Sequence, residues 1–303
     1  MIEHGRYAIV TDQPGWHGRQ LRQALEAKGL ESDFVRLQEC CLEVQNDAPK
    51  IGMPGFEDRL PSGVFIREVP GGSLEEVIFY LDILHALEAL GVKVYNDAGA
   101  IERSVDKVRA SFLFALHNVP TPRTFAVRDV RQMREFLDNW FETHQHVVAK
   151  PIFGSQGKGL KRLSRDDPHP DYDLSHGIYY LQEYIEPVSA RSCDWRILVI
   201  DGQATAAMRR EGEDWISNIA NGGQGHPASL EPELAQLAER AVMAVGMPYA
   251  GVDLMRDRQG IAWVTEVNSI PAWRGLQQVH SGNISDLLIE GFLKHCHGES
   301  APS

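Results

Sequence analysis

A lysine at the end of an apolar strand, followed at once by a glycine-rich loop, is the first chemical signal in the chain. The run is Val147-Val148-Ala149-Lys150-Pro151-Ile152-Phe153-Gly154-Ser155-Gln156-Gly157-Lys158-Gly159. Glycine lets such a loop turn its backbone N–H groups toward phosphate oxygens and approach them closely. Lys150 and Lys158 add positive charge. The loop lacks the Gly-Lys-Ser/Thr ending of a Walker loop, and its glycine spacing is not that of a dinucleotide fingerprint. A hairpin tip with solvated lysines has the same composition, so the loop alone leaves both readings open.

A second signal lies in two apolar strands that each carry acid: Ala250-Gly251-Val252-Asp253-Leu254-Met255 and Trp263-Val264-Thr265-Glu266-Val267-Asn268-Ser269. Glu266 and Asn268 are two apart and share a face. With Asp253 they offer hard oxygen ligands suited to magnesium bound with nucleotide phosphates. The alternative, solvent-facing polar positions, fits the apolar flanks poorly, because a buried carboxylate without a cation is costly. Two weaker signals accompany these. Leu181-Gln182-Glu183-Tyr184-Ile185-Glu186-Pro187 is a strand running into a turn, a hinge able to meet an adenine edge through its backbone. Arg196, Arg209 and Arg210, with Ser217-Asn218 beyond, could grip carboxylate or phosphate. Alternation places Arg210 on the face opposite Arg209, and the surface reading is preferred for Arg210.

The elements that must position these residues alternate. Tyr7–Asp12, Phe34–Leu37, Gly63–Arg67 and Val92–Asn96 read as strands, with helices from His17 to Lys28 and from Leu74 to Leu90, so residues 1–100 predict a parallel α/β layer. Glu39 to Pro61 reads as a loop. Further on, the pattern predicts helices over 105–117, 131–141 and 230–245. Strands are predicted over 123–127, 146–151 and 178–184, a loop over 162–175, and hairpins around Asp201-Gly202 and Asp257–Gly260. The charge of −12 over 303 residues disfavours nucleic acid and anionic lipid as partners. No apolar run suits a membrane span or a signal peptide, so the cytoplasm is the expected location. Cys40, Cys41, Cys193 and Cys296 form no Cys-x-x-Cys pair and are expected as free thiols. His295-Cys296-His297 reads as a frayed end rather than a metal site.

In order, Asp106-Lys107, Pro120-Thr121-Pro122-Arg123-Thr124, Lys150-Pro151 with its glycine loop, Gln182-Glu183-Tyr184-Ile185, Asp194-Trp195-Arg196, Arg209-Arg210, Ser217-Asn218, Asp253 and Glu266-Val267-Asn268 resemble the ATP-grasp enzymes of the RimK-like α-L-glutamate ligase family. The resemblance runs from about Gly63 to Leu288. Phe65–Leu74 and Tyr95-Asn96-Asp97 are also similar to glutamate ligases of the tetrahydromethanopterin and methanofuran type. What this implies is an α/β ATP-grasp fold in three parts. These are an N-terminal parallel domain (1–100), a central part with the glycine loop (101–186) and a C-terminal part with the magnesium site (187–303).

The resemblance also implies roles. Lys107, Lys150 and the loop Gly154, Ser155, Gln156, Gly157, Lys158 and Gly159 would hold the ATP phosphates. Gln182, Glu183, Tyr184 and Ile185 would form the adenine hinge, with Asp194 or Glu186 at the ribose. Asp253, Glu266 and Asn268 would bind two magnesium ions, manganese being a possible substitute. Arg209 and Asn218, with Lys150, would face the transferred phosphoryl group. The run after Asn268, Ser269-Ile270-Pro271-Ala272-Trp273-Arg274-Gly275, departs from the family's small residues and should line the acceptor pocket. Arg67, Arg196, Arg209, Ser269 and Arg274 are the candidate substrate contacts. Arg67 has an alternative, pairing with Glu68 or Glu75. The expected reaction joins L-glutamate to an anionic carboxylate acceptor through an acyl phosphate, in a homodimer or homotetramer. A glutathione-synthase-like ligase and a non-catalytic ATP-binding regulator are the alternatives; loss of a metal ligand or phosphate lysine would mark the regulator, and all are present.

Overall fold

Residues 6–105 alternate strand and helix: β1 (Arg6–Val10), α1 (Gly15–Ala27), β2 (Glu31–Val35), a hairpin of β3 (Cys41–Glu43) and β4 (Lys50–Gly52), β5 (Val64–Ile66), α2 (Leu74–Ala89), β6 (Val94–Tyr95) and α3 (Ala98–Val105). The computed structural model describes residues 5–45, 49–154, 157–170, 177–187, 192–212, 214–217 and 222–298. Four strands pair in parallel in the order β2-β1-β5-β6. β1 and β5 are buried nearly throughout, as strands covered on both faces must be. α2 begins at a capping box: the Ser73 hydroxyl accepts from the Glu76 amide while the Glu76 carboxylate accepts from the Ser73 amide. The β3–β4 hairpin stands inside the stretch expected as loop, where its Pro and Gly content concealed two three-residue strands.

Next come α4 (Lys107–Leu116), β7 (Thr124–Val127), α5 (Val130–Trp140), β8 (Val147–Lys150), β9 (Lys161–Leu163) and β10 (Tyr179–Glu183). The helix expected over 105–117 starts later, because Asp106 leaves helical geometry and its carboxylate caps the amides of Val108 and Arg109. The strands pair antiparallel as β7-β10-β8-β9. β9 corrects the expected loop from residue 162: two of its residues are charged, and it is a strand because β8 offers it a ladder.

The rest is β11 (Cys193–Ile200), β12 (Gln203–Glu211), β13 (Gln224–Pro227), α6 (Pro232–Val245), β14 (Tyr249–Arg256), β15 (Ala262–Asn268), α7 (Arg274–Val279) and α8 (Ile284–His297). Five strands run antiparallel as β13-β12-β11-β14-β15. Asp201 and Gly202 turn the β11–β12 hairpin with φ of 49° and 73°, conformations that favour Asx and Gly residues. The expected frayed end is the last turn of α8. There the Cys296 sulfur lies where a side chain on Gly63 would have to be, and His295 stacks against Tyr95.

The five-stranded sheet is a shared wall. One face packs on α6 through Ile197, Val199, Val252 and Leu237. The other packs through Leu198, Ile200, Met208 and Tyr249 on α8, Trp273 and the parallel sheet's Tyr7, Ile9 and Phe65. Residues 6–95 and 193–297 therefore bury one common core. The central sheet has its own, around Leu137, Trp140 and Leu181. No helix among the described residues is long and apolar enough to cross a membrane.

Candidate active site

Register on the five-stranded sheet decides which side chains meet. Asp194 lies opposite Arg210, Arg196 opposite Asp253, and Asp253 opposite Glu266. Opposed residues share a face, so these five, with Asn268, point to one side. A bulge at Asp253/Leu254 sets the register at the acidic pair, and such bulges commonly re-aim side chains beside sites.

Two like charges directly opposite repel unless countered. Here each has a partner. Arg196 grips Asp253 with two nitrogens, the second at 2.8 Å. Arg210 holds Asp194 bidentately at 2.6 and 2.8 Å and reaches Asp253 at 2.9 Å. The Ser217 hydroxyl donates to Asp194. Lys107 lies 3.4 Å from Glu266 and donates to the Gly154 carbonyl at 2.7 Å. Burial would raise the Asp253 carboxyl, but Arg196 and Arg210 outweigh it and hold it at about 2. Burial pushes Asp194 up despite Arg210.

Lys150 comes from β8 across the cleft. Its amine donates to the Gln182 Oε1 at 2.5 Å, and Gln182 is itself fixed by donating to Thr124 and Tyr180. Burial pulls the Lys150 amine down to about 8, against the pull of Glu266. Gln182 is thus a brace for Lys150, a role different from the expected hinge. The cleft encloses about 110 Å³ of cavity and opens to solvent. Lys107, Lys150, Gly154, Gly157 and Lys158 line one part, and Tyr184, Ile185, Met255 and Trp215 supply apolar surface. Gly159 turns beside Gly157 with φ of 76°. At the rim, Arg162 lies over the rings of Tyr184 and Trp215, which meet edge to face. Gly212 has no alternative: a Cβ there would fall 2.1 Å from the Ile216 carbonyl, in the turn that delivers Ser217.

The expected residues do not all converge. Arg209 faces the other side of β12, 45% exposed, paired with Glu211; the arginine on the site's side is Arg210, 3% exposed and buried behind the lining carboxylates Asp194 and Asp253. This reverses the surface reading of Arg210. Alternation separated the two but could not say which face was inward. Glu186 pairs with Arg258 at 2.8 Å and is absent from the cleft lining. Glu183 accepts from the Arg123 amide. Ser269 is buried, and its carbonyl accepts from Asn96 at 2.6 Å. Ser155, Gln156 and Asn218 lie outside the described residues. Ser217 was named in the sequence beside Asn218 without a role of its own; Ser192, Trp215 and Met255 were missed in the lining, and none of the three stands in a pattern that marks it.

Two observations bear on what the cleft could hold. Ser192 Oγ, on the lining, and Asn268 Nδ2 are buried without a hydrogen-bond partner, as polar groups awaiting a ligand are. The donor set of Asp253, Glu266 and Asn268 suits a magnesium ion. Among the described residues it does not assemble three His, Cys, Asp or Glu groups, so oxygens from a bound phosphate would have to complete the shell. The residues present fit a magnesium–nucleotide complex in which both components arrive together.

Comparison with known proteins agrees with this geometry. A profile of the RimK-like ATP-grasp domain matches residues 104–292. Tetrahydromethanopterin:alpha-L-glutamate ligase of Methanococcus maripaludis is 28% identical over 301 residues, covering 96% of this chain and 98% of that protein. The Methanocaldococcus jannaschii protein of the same name is 33% identical over 225 residues, covering 72% and 75%. Among solved structures, the ATP-grasp ligase PsnB complexed with minimal precursor, Mg and ADP superposes with a TM-score of 0.73 at 20% identity, covering 96% of this chain and 98% of that one.

Proposed function

The chain belongs to the RimK-like ATP-grasp family, and from that premise we propose that it is an ATP-dependent carboxylate–amine ligase that adds L-glutamate to a carboxylate acceptor. The acceptor class is a glutamyl-bearing coenzyme precursor or a growing glutamate chain. The observation that carries this reading is the convergence of Lys107, Lys150 and Arg210 on the opposed carboxylates Asp253 and Glu266 beneath a glycine turn.

The acceptor carboxylate takes the terminal phosphoryl group of ATP, ADP leaves, the glutamate amine attacks the acyl carbon, and phosphate departs. Lys107, Lys150 and the glycine loop hold phosphate oxygens, and Arg210 takes the role at the transferred group that the sequence assigned to Arg209. Tyr184, Ile185, Met255 and Trp215 enclose the base. Asp253, Glu266 and Asn268 would hold magnesium, which supplies charge neutralisation on the phosphate oxygens. The work of the chain is positioning and exclusion of water from the acyl phosphate. Gln182 keeps the Lys150 ammonium pointed into the cleft. The arginine pairs keep Asp253 ionised. Four free cysteines fit a reducing, cytoplasmic setting.

The test is mass spectrometry of mixtures of the protein, ATP, magnesium, L-glutamate and a panel of carboxylate acceptors. A product heavier by one glutamyl residue, formed with stoichiometric ADP and phosphate, is expected. ATP turnover with no acceptor modified across amines and acceptors would overturn the reading.

A further inference from the structure

At the C-terminal edge of the parallel sheet, three nitrogen-bearing side chains gather, none of them in an ion pair among the described residues. Arg67 follows β5, His17 lies in the first turn of α1, and Arg274 opens α7. The Trp273 ring is their shared wall: the Arg67 guanidinium lies 5.4 Å from its centre, and the His17 ring meets it edge to face at 4.5 Å. Glu68 is close enough for its charge to act on Arg67 but makes no ion pair with it, and one of its oxygens is engaged elsewhere. Glu68 accepts from the Thr11 hydroxyl and the Asp12 amide, each at 3.1 Å. Among the described residues neither Arg67 nor Arg274 makes an ion pair or a side-chain hydrogen bond, so the alternative pairing of Arg67 with Glu68 or Glu75 is not formed.

Arg67 is half-buried, and burial pulls its pKa down against the opposing pull of Tyr249 and Glu68. A half-buried guanidinium that has no ion pair of its own is only partly compensated, and a fold that keeps one leaves room for an anionic ligand. His17 adds a donor of defined direction. Its Nε2 accepts from the Trp273 amide at 3.3 Å, which leaves the ring proton on Nδ1. Burial, then Arg67 and Arg274, hold its pKa at about 4, so the ring is neutral. The Nδ1–H has no acceptor among the described residues.

The three segments are locked to one another and to the phosphate end of the cleft. The Tyr249 hydroxyl donates to the carbonyl of Ile66, directly before Arg67. Asn96 donates to the carbonyls of Tyr249 and Ser269, at 2.8 and 2.6 Å. Pro271 packs on Gly251, where a Cβ would stand only 2.9 Å away. The loop from Asn268 to Arg274 therefore runs at a set distance from the metal-binding carboxylates.

We propose that His17, Arg67 and Arg274 form a subsite for a second anionic group of the acceptor, a carboxylate or a phosphate, which holds the acceptor while its other carboxylate reacts. The inference rests on the ligase reading for the word acceptor, and its test does not require turnover. Glutarate and inorganic phosphate are titrated, separately, into wild type, Arg67→Met, Arg274→Met, His17→Gln and His17→Asn, with thermal stability and ATP affinity followed alongside.

Glutarate or phosphate should bind wild type, and whichever binds more tightly names the group. Arg67→Met should weaken that binding about tenfold to a hundredfold, the loss of a charged hydrogen bond. His17→Gln keeps an acceptor for the Trp273 amide but loses the Nδ1 donor, and should weaken anion binding with little change in melting temperature. His17→Asn can restore a donor near Nδ1 and should weaken it less. ATP affinity should stay within about twofold in all four, a change below about 0.4 kcal/mol. Should neither anion bind wild type, or binding be the same in Arg67→Met, Arg274→Met and His17→Gln, the subsite does not exist. Anion binding that depends on these residues in a protein that ligates nothing would keep the subsite and remove the ligase reading. The reverse result would keep the ligase and remove the subsite.

Discussion

The two groups of cations in this molecule are built on opposite principles. On the antiparallel sheet every cation has an anion of its own: Arg196 holds Asp253, Arg210 bridges Asp194 and Asp253, and Lys107 meets Glu266. At the edge of the parallel sheet His17, Arg67 and Arg274 gather beside an aromatic wall with no ion pair among the described residues, and Glu68, whose charge reaches Arg67, is held through one oxygen by Thr11 and Asp12. The first group is neutralised before any ligand arrives, so removing one member strands another in a low dielectric. The second has no ion pair of its own, so removing a member should cost the fold little and harm binding. A charge that is part of the scaffold and a charge that waits for a ligand are told apart by their partners and by their exposure: Arg210 is buried, Arg67 half-buried and Arg274 exposed.

That contrast predicts different penalties. Arg210→Met should cost about 3–5 kcal/mol of stability, because Asp194 loses its bidentate partner inside the protein; urea unfolding measures it. A cost below 1 kcal/mol would show that the network does not support the fold. Arg67→Ala should do the opposite. Stability should hold within about 1 kcal/mol, while kcat/KM for the acceptor falls by about 2–4 kcal/mol of transition-state stabilisation and the KM for ATP hardly moves.

Lys150 donates its hydrogen bond to a neutral amide rather than to an acid, and its burial gives it a pH signature. Its folded value of about 8 lies below its ordinary 10.5. Between those values the unfolded chain holds a proton that the folded chain has released, so the stability of the ligand-free protein should rise with pH across that window. The rise is at most about 3 kcal/mol, and Lys150→Met should flatten it. A stability profile between pH 8 and 10.5 that is unchanged by the substitution would place the amine in solvent. The smallest effect is expected at Arg209. It lies on the outer face with Glu211, and Arg209→Ala should shift stability by no more than about 0.5 kcal/mol. Ligation should continue near the wild-type rate, while Arg210→Met abolishes it. Equal losses at both positions would erase the distinction between the two faces.

How much of this was legible in the sequence depended on which physical signal each part used. Elements with strong periodicity were placed well: β1, β5, α2, α6 and the hairpin at Asp201-Gly202, whereas β2, expected over Phe34–Leu37, is Glu31–Val35. The carboxylate pair was legible because acids interrupting apolar strands stand out. Weak elements were not. β13 reads Gln224-Gly225-His226-Pro227, with no strand preference of its own, and exists because the edge of β12 offers it a ladder. α8 had a readable stripe in Ile284, Leu288, Ile289 and Phe292, and went unassigned. Arg209 and Arg210 were correctly put on opposite faces, yet Ala204-Thr205-Ala206-Ala207 before them is too uniform to mark the inner one. Register with β11 settles it. His17 carried no signal, since its partner Trp273 is 256 residues away.

The account stands most directly on the acyl phosphate. An acceptor labelled with oxygen-18 in its reacting carboxylate, incubated with the protein, ATP, magnesium and L-glutamate, should transfer one labelled oxygen to inorganic phosphate for each amide formed, with ADP as the other product. Label found in AMP, or phosphate released without label while amide accumulates, would contradict it.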